Sequence, residues 1–105
     1  MALFKTVQTW IDTGVTTSGV ATFHPTDDGT ANGAAIFSSI SAVQFTAEVN
    51  TGIVTSVAMC GLKSISGDLK TILVNVVTGT ILGVLGGTII GCPDGTKVHA
   101  LVMGQ

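Results

Sequence analysis

A chain of 105 residues holds one core and leaves no room for a second domain. Apolar residues make up 46% and charged residues 10%, against about 25% charged in an ordinary soluble domain, so much of the surface is neutral and open to a partner or a lipid. A net charge of −2, four lysines and no arginine exclude a nucleic-acid binder, which needs several cations on one face to neutralise phosphates.

The N-terminal "MALFKTVQTWIDTG" lacks a basic segment followed by a long apolar run, so it does not read as a secretory signal, and synthesis in a cytoplasm is expected. "FKTVQTW" and "GVATFH" are short strand candidates, separated by "IDTGVTTS", which is rich in turn formers. The stretch "HPTDDGTANGAA" is a loop, because Pro25, Asp27, Asp28, Gly29, Asn32 and Gly33 all favour turn geometry. Asp27 and Asp28 lack the alternating oxygen ligands of a calcium loop and are expected to lie in a solvated turn.

Two-residue periodicity is clearest around "AVQFTAEVN", where Val43, Phe45, Ala47 and Val49 alternate with Gln44, Thr46, Glu48 and Asn50. "IVTSVAMC" alternates in the same way, and "NTG" between them supplies the residues of a short hairpin loop. "LKSISGDLKTIL" has apolar residues at helical steps, but Gly67 and Asp68 interrupt it, so it is expected to be a connection. "LKTILVNVV" is a β-branched strand, and "CPDGT" is a turn before a last strand, "KVHALVM". In that strand Val98, Ala100 and Val102 face one way and Lys97, His99, Leu101 and Met103 the other.

Residues 71–91 need separate treatment, since they carry no charge over 21 residues and place Gly79, Gly83, Gly87 and Gly91 four apart. That length and spacing suit a membrane helix that packs through small residues. The intervening residues argue otherwise: twelve of the twenty from Thr71 to Ile90 are β-branched, and such side chains favour a pleated sheet. Flanking Trp or Tyr anchors and a lysine bias are also missing. The stretch is therefore expected to form strands, with turns at Thr78-Gly79 and Gly86-Gly87, a bulge at Gly83 and a strand end at Gly91.

Short strands, frequent turns and no strand–helix alternation define an all-β class: a single-domain antiparallel β-sandwich or barrel, jelly-roll-like, with seven or eight short strands over residues 1–105. Chemistry is sparse. Cys92, His99 and Asp94 could be written as a nucleophilic triad, but their spacing does not favour it. His24, Cys92, His99 and Met103 have the ligand types of a blue-copper site, in an order similar to that of cupredoxins. His99 and Met103, however, stand four apart on one strand, roughly 13 Å by strand rise, too far for one metal. No catalytic residue, cofactor or metal is assigned. Cys60 and Cys92 are expected to be buried and reduced.

The C-terminal half, "LKTILVNVVTGTILGVLGGTIIGCPDGTKVHALVMGQ", resembles the endings of small β-rich virion proteins of tailed bacteriophages, in which a "PDGT-x-VH" turn and strand recurs. "TGVTTSGVATF" is similar in character to their N-terminal turns. The resemblance implies a non-enzymatic structural protein of the virion, foremost a capsid decoration (cement) protein. Its implied partners are further copies of itself, a trimer being favoured, and the major capsid protein or other virion proteins. A tail or fibre component, or a receptor-binding module, is the alternative, and a membrane-active protein using residues 71–91 is a second one. Under the decoration reading, the apolar N-terminal residues Met1, Ala2, Leu3, Phe4, Lys5, Thr6 and Val7 are the expected contact arm, able to pair with a strand edge of the shell.

Overall fold

The computed structural model describes residues 7–48, 56–81, 87–91 and 94–105. They form strands β1 (Gln8–Thr17), β2 (Val20–Phe23), β3 (Ile40–Ala47), β4 (Ser56–Ile65), β5 (Ile72–Ile81), β6 (Gly87–Gly91) and β7 (Lys97–Gly104). Every pairing is antiparallel. Six strands make one continuous sheet in the order β3-β7-β1-β2-β5-β4, and short β6 lies beside that path, paired to β5. β3 and β4, at the two ends of the order, approach each other, so the sheet nearly closes into a barrel.

The architecture is thus a curled single sheet rather than two stacked jelly-roll layers, and its path holds fewer, longer strands than the seven or eight short ones expected. The main reason is β1. The segment "IDTGVTTS" does not separate two strands; Ile11 to Thr17 continue β1, and the turn falls at Ser18 and Gly19, both at positive φ (53° and 76°). That pair matches the two-residue hairpin loop whose twist suits antiparallel strands. β1 runs in unbroken register with β7, from Gln8 opposite Gly104 to Val15 opposite Lys97, and its last two residues pair with β2.

Two further expectations change. Thr78-Gly79 is not a turn, because β5 continues to Ile81 with Gly79 paired to Val57 on one side and Ile89 on the other. The connection read in "LKSISGDLKTIL" shrinks to residues 66–71, since Leu62 to Ile65 belong to β4. There the Ser66 hydroxyl donates to Asp68 Oδ1 (2.6 Å), and Asp68 Oδ1 accepts from the Lys70 N–H (3.1 Å). A membrane helix over 71–91 is replaced by β5 and β6, and among the described residues no helix is long and apolar enough to cross a membrane. Gly91 does end a strand. The "NTG" loop, Gly83, Gly86 and Cys92 lie outside the described residues.

Alternation fills the interior. Val98, Ala100 and Val102 of β7, Ile72, Val74 and Val76 of β5, and Ala21 and Phe23 of β2 are all buried. Each buried valine, isoleucine or phenylalanine contributes about 1.5–3 kcal/mol through removal of apolar surface from water. Phe23 is the hub: it stacks with Phe45 (centroids 6.1 Å apart) and meets Trp10 edge-on (6.4 Å). The loop expected over residues 24–35 is a loop here and runs on to residue 39, closed by a single bridge between Thr26 and Ala35. Pro25 and Phe37 bury themselves within it, and Phe37 lies over Gly104 at the end of β7.

Candidate interaction surface

The outer side of β1 and β7 departs most from an ordinary soluble sheet. Along β1 the inward positions are Trp10, Asp12, Gly14 and Thr16, while Thr9, Ile11, Thr13, Val15 and Thr17 point outward. Ile11 is 74% exposed, Val15 55%, and Val7, just before the strand, 61%. Ile11 stands opposite Leu101, which stands opposite Gln44; Thr9 stands opposite Met103, which stands opposite Ala42. Leu101 and Met103 are half-buried, and as expected from the alternation of "KVHALVM" they share the outward side of β7 with Lys97 and His99. The result is an apolar stripe on a convex face, framed by threonines. Exposed apolar residues repeated along one sheet face, with Leu101 and Met103 beside Ile11, make this face the candidate docking surface.

One polar cluster interrupts the stripe. His99 Nε2 donates to Glu48 Oε1 (2.8 Å), and Nδ1 of the same ring lies 3.0 Å from the Thr13 hydroxyl. With Nε2 donating to the carboxylate, the Nδ1 contact ties the same ring to the Thr13 hydroxyl. The hydrogen bond from His99 holds the Glu48 carboxyl below its ordinary range, helped by the charges of His99 and Lys97. Hydroxyl, imidazole and carboxylate here resemble a triad in composition only. The ring is 43% and the carboxylate 54% exposed on an outer sheet face. Thr13 belongs to β1, His99 to β7, and Glu48 follows β3, so the cluster clasps three strands.

The other sequence-level candidates do not converge. His24 Nδ1 donates to the Lys70 carbonyl (3.0 Å) at the start of β5, away from His99 and Met103 on β7. Asp94 Oδ1 accepts from the Ser18 N–H (2.9 Å) and so fixes the β1–β2 turn rather than His99. Cys92 lies outside the described residues, while Cys60 is half-buried and packs against the core. Asp28 Oδ1 accepts from the Thr30 N–H (2.9 Å), the Thr30 hydroxyl (2.8 Å) and the Thr26 hydroxyl (3.2 Å), bonds that hold its carboxyl below the ordinary range. Asp27 Oδ1 accepts from the Ala34 N–H (2.9 Å). Both acids cap their own loop.

Of the expected contact arm, Met1 to Thr6 lie outside the described residues, and Val7 is exposed at the head of the stripe. Sequence reading missed Ile11 and Val15 as surface residues because their segment looked like a turn. The signal was present: from Val7 to Val15 every second odd position is apolar and β-branched, with threonines between. Comparison with family models, curated proteins and solved structures gives no match.

Proposed function

We propose that this chain is a non-enzymatic structural protein of a tailed-bacteriophage virion, a capsid decoration protein that self-associates and stabilises the head shell. The virion setting rests on the resemblance of its C-terminal half and its N-terminal turn to such proteins. The observation that carries the docking role is the stripe Val7–Ile11–Val15, exposed on the outer face of β1 and continuous in sequence with the arm Met1–Thr6. A β-branched surface gains from being covered, and around Ile11 the neighbours Thr9, Leu101, Met103 and Gln44 carry no charge that must be desolvated on docking. The partner is the major capsid protein, and the site of action is the assembled particle.

The test is co-sedimentation of the purified protein with phage heads assembled without it. Saturable binding that raises the melting temperature of the heads is expected, with Ile11→Lys abolishing it while the strand signal in circular dichroism is kept. Heads that neither bind the protein nor gain stability from it would overturn the proposal. Flanking capsid or portal genes would be independent support.

A further inference from the structure

Among the described residues, strand pairing along β5 leaves one edge of the sheet open. On one side β5 pairs with β4 from Ile72 to Thr80. On its other side it pairs first with β2, over Ile72 to Asn75, and then with β6, over Val77 to Ile81. The change of partner falls where the β1–β2 turn ends: the Gly19 carbonyl accepts from the Val76 N–H (2.9 Å), and one residue on, Val77 stands opposite Gly91 of β6. Beyond that turn the sheet continues as a three-stranded ribbon, β4-β5-β6. Among the described residues β6 pairs with β5 alone.

An open strand edge presents a row of main-chain donors and acceptors, and proteins that stay monomeric blunt it with charge, proline, bulges or a cover. The two end strands of the sheet order have such protection. β3 has a bulge at Ile40/Ala42, β4 has one at Leu62/Ser64 with Lys63 in it, and the two strands approach each other. Among the described residues β6 has none of these. Its sequence, Gly87-Thr88-Ile89-Ile90-Gly91, holds no charge and no proline, and its register with β5 runs without a shift.

The ribbon's composition narrows the partner. Its cross-strand rows are Ser56–Thr80–Thr88, Val57–Gly79–Ile89, Ala58–Thr78–Ile90 and Met59–Val77–Gly91. None contains a charged residue, and the chain is uncharged from Val49 to Leu62 and from Thr71 to Pro93. A charged partner finds nothing here to pair with. An identical neutral edge, turned about a two-fold axis, matches donors to acceptors with no like-charge contact at the seam, although each chain carries a net −2. We propose that β6 is a self-association seam: Gly87–Gly91 of one copy pairs antiparallel with Gly87–Gly91 of a second, continuing the sheet across a dimer. The inference rests on the self-association in the proposed function, gives it a two-fold form in place of the expected trimer, and assigns a surface to it, separate from the β1 stripe.

Sedimentation equilibrium of the full chain tests this. The wild type is expected at the mass of two 10.6 kDa chains at concentrations of about 100 μM, where even a micromolar dimer is nearly saturated. Ile89→Lys and Ile90→Lys, each placing two like charges at the seam, should weaken the dimer at least tenfold with Trp10 emission unchanged. Hydrogen exchange of the wild type covers the case in which a lysine variant does not fold. Protection at residues 87–91 should fall on dilution while that at 98–102 holds. A monomer throughout, a trimer, a dimer of unaltered affinity in both variants, or dilution-independent exchange at 87–91 would each overturn the seam. Head binding by a monomeric protein would remove the seam and leave the virion reading standing; a β6 dimer that ignores heads would do the reverse.

Discussion

At the scale of single residues, two glycines show how closely this barrel is packed. A Cβ on Gly14 would sit 3.1 Å from Phe23 Cε1, and one on Gly104 would collide with the Ser39 carbonyl oxygen and sit 3.0 Å from Ile40 Cα. A ring held by Phe45 and Trp10 can shift by a few tenths of an ångström; main chain bonded to Gln105 on both sides of the contact has less freedom. Gly14→Ala should therefore cost about 1 kcal/mol, and Gly104→Ala about 3 kcal/mol, at the upper end of overpacking losses. Urea denaturation of both variants checks the order, and an equal cost would contradict it. Glu48 supplies a pH dependence. Its carboxyl titrates lower in the folded chain, because of the His99 hydrogen bond, than in the unfolded one. Its contribution to stability is present above the unfolded value and is lost as pH falls through the folded one. Glu48→Gln should flatten the acid limb of a melting temperature–pH profile below the ordinary carboxylate range. The change should be small, since the pair is open to solvent.

At the scale of elements, β1 shows what was legible in the sequence and what was not. The strand pattern of β3, β5 and β7 can be read directly, because each carries an apolar residue at every second position and that set is the one turned inward, half-buried in β3 and buried in β5 and β7. β1 inverts that relation. Its interior side carries Asp12, Gly14 and Thr16 beside Trp10, and its solvent side carries Ile11 and Val15, so a rule that places apolar residues inside breaks the strand into a turn. Pairing settled the matter: a ten-residue strand in register with β7 satisfies its main chain whatever its side chains prefer. The glycines of the 79–91 stretch mislead for the same reason, since Gly79 is held in the sheet by partners on both sides. The surface stripe was the hidden half of this pattern, and only the fold shows which alternating set faces out. It follows that Ile11→Lys should change folding stability by no more than about 0.5 kcal/mol, as for other surface positions. Phe23→Ala, by contrast, should cost about 3–5 kcal/mol through the lost ring and the cavity left at the hub. Thermal melts of the two variants separate an outward apolar residue from a core one; a large loss in the first would mean that the stripe is covered within the chain itself.

At the scale of the whole molecule, the chain closes its sheet with its last strand. β7 lies between β1 and β3, so Thr9 meets Met103 and Val43 meets Val102 across most of the sequence. The half built from β2, β5 and β4 can pair locally, through β5 with β4, but β1 and β3 have no common neighbour until β7 is in place. The barrel interior is likewise shared, with Val98, Ala100 and Val102 facing the set that includes Ile72, Val74, Val76 and Phe23. Such long closures must be made before their contacts repay the lost chain entropy, which places β barrels among the slow folders. Refolding followed by the emission of Trp10, the one tryptophan and itself opposite Val102, should therefore occur over roughly milliseconds to seconds. Val102→Ala should speed unfolding more than it slows folding, because β7 docks late and its contacts are largely absent from the transition state. Stopped-flow measurements on the two proteins decide this. Submillisecond refolding, or a variant whose loss of stability falls mainly on the folding rate, would show that β7 joins early and that the sheet is nucleated across its termini instead.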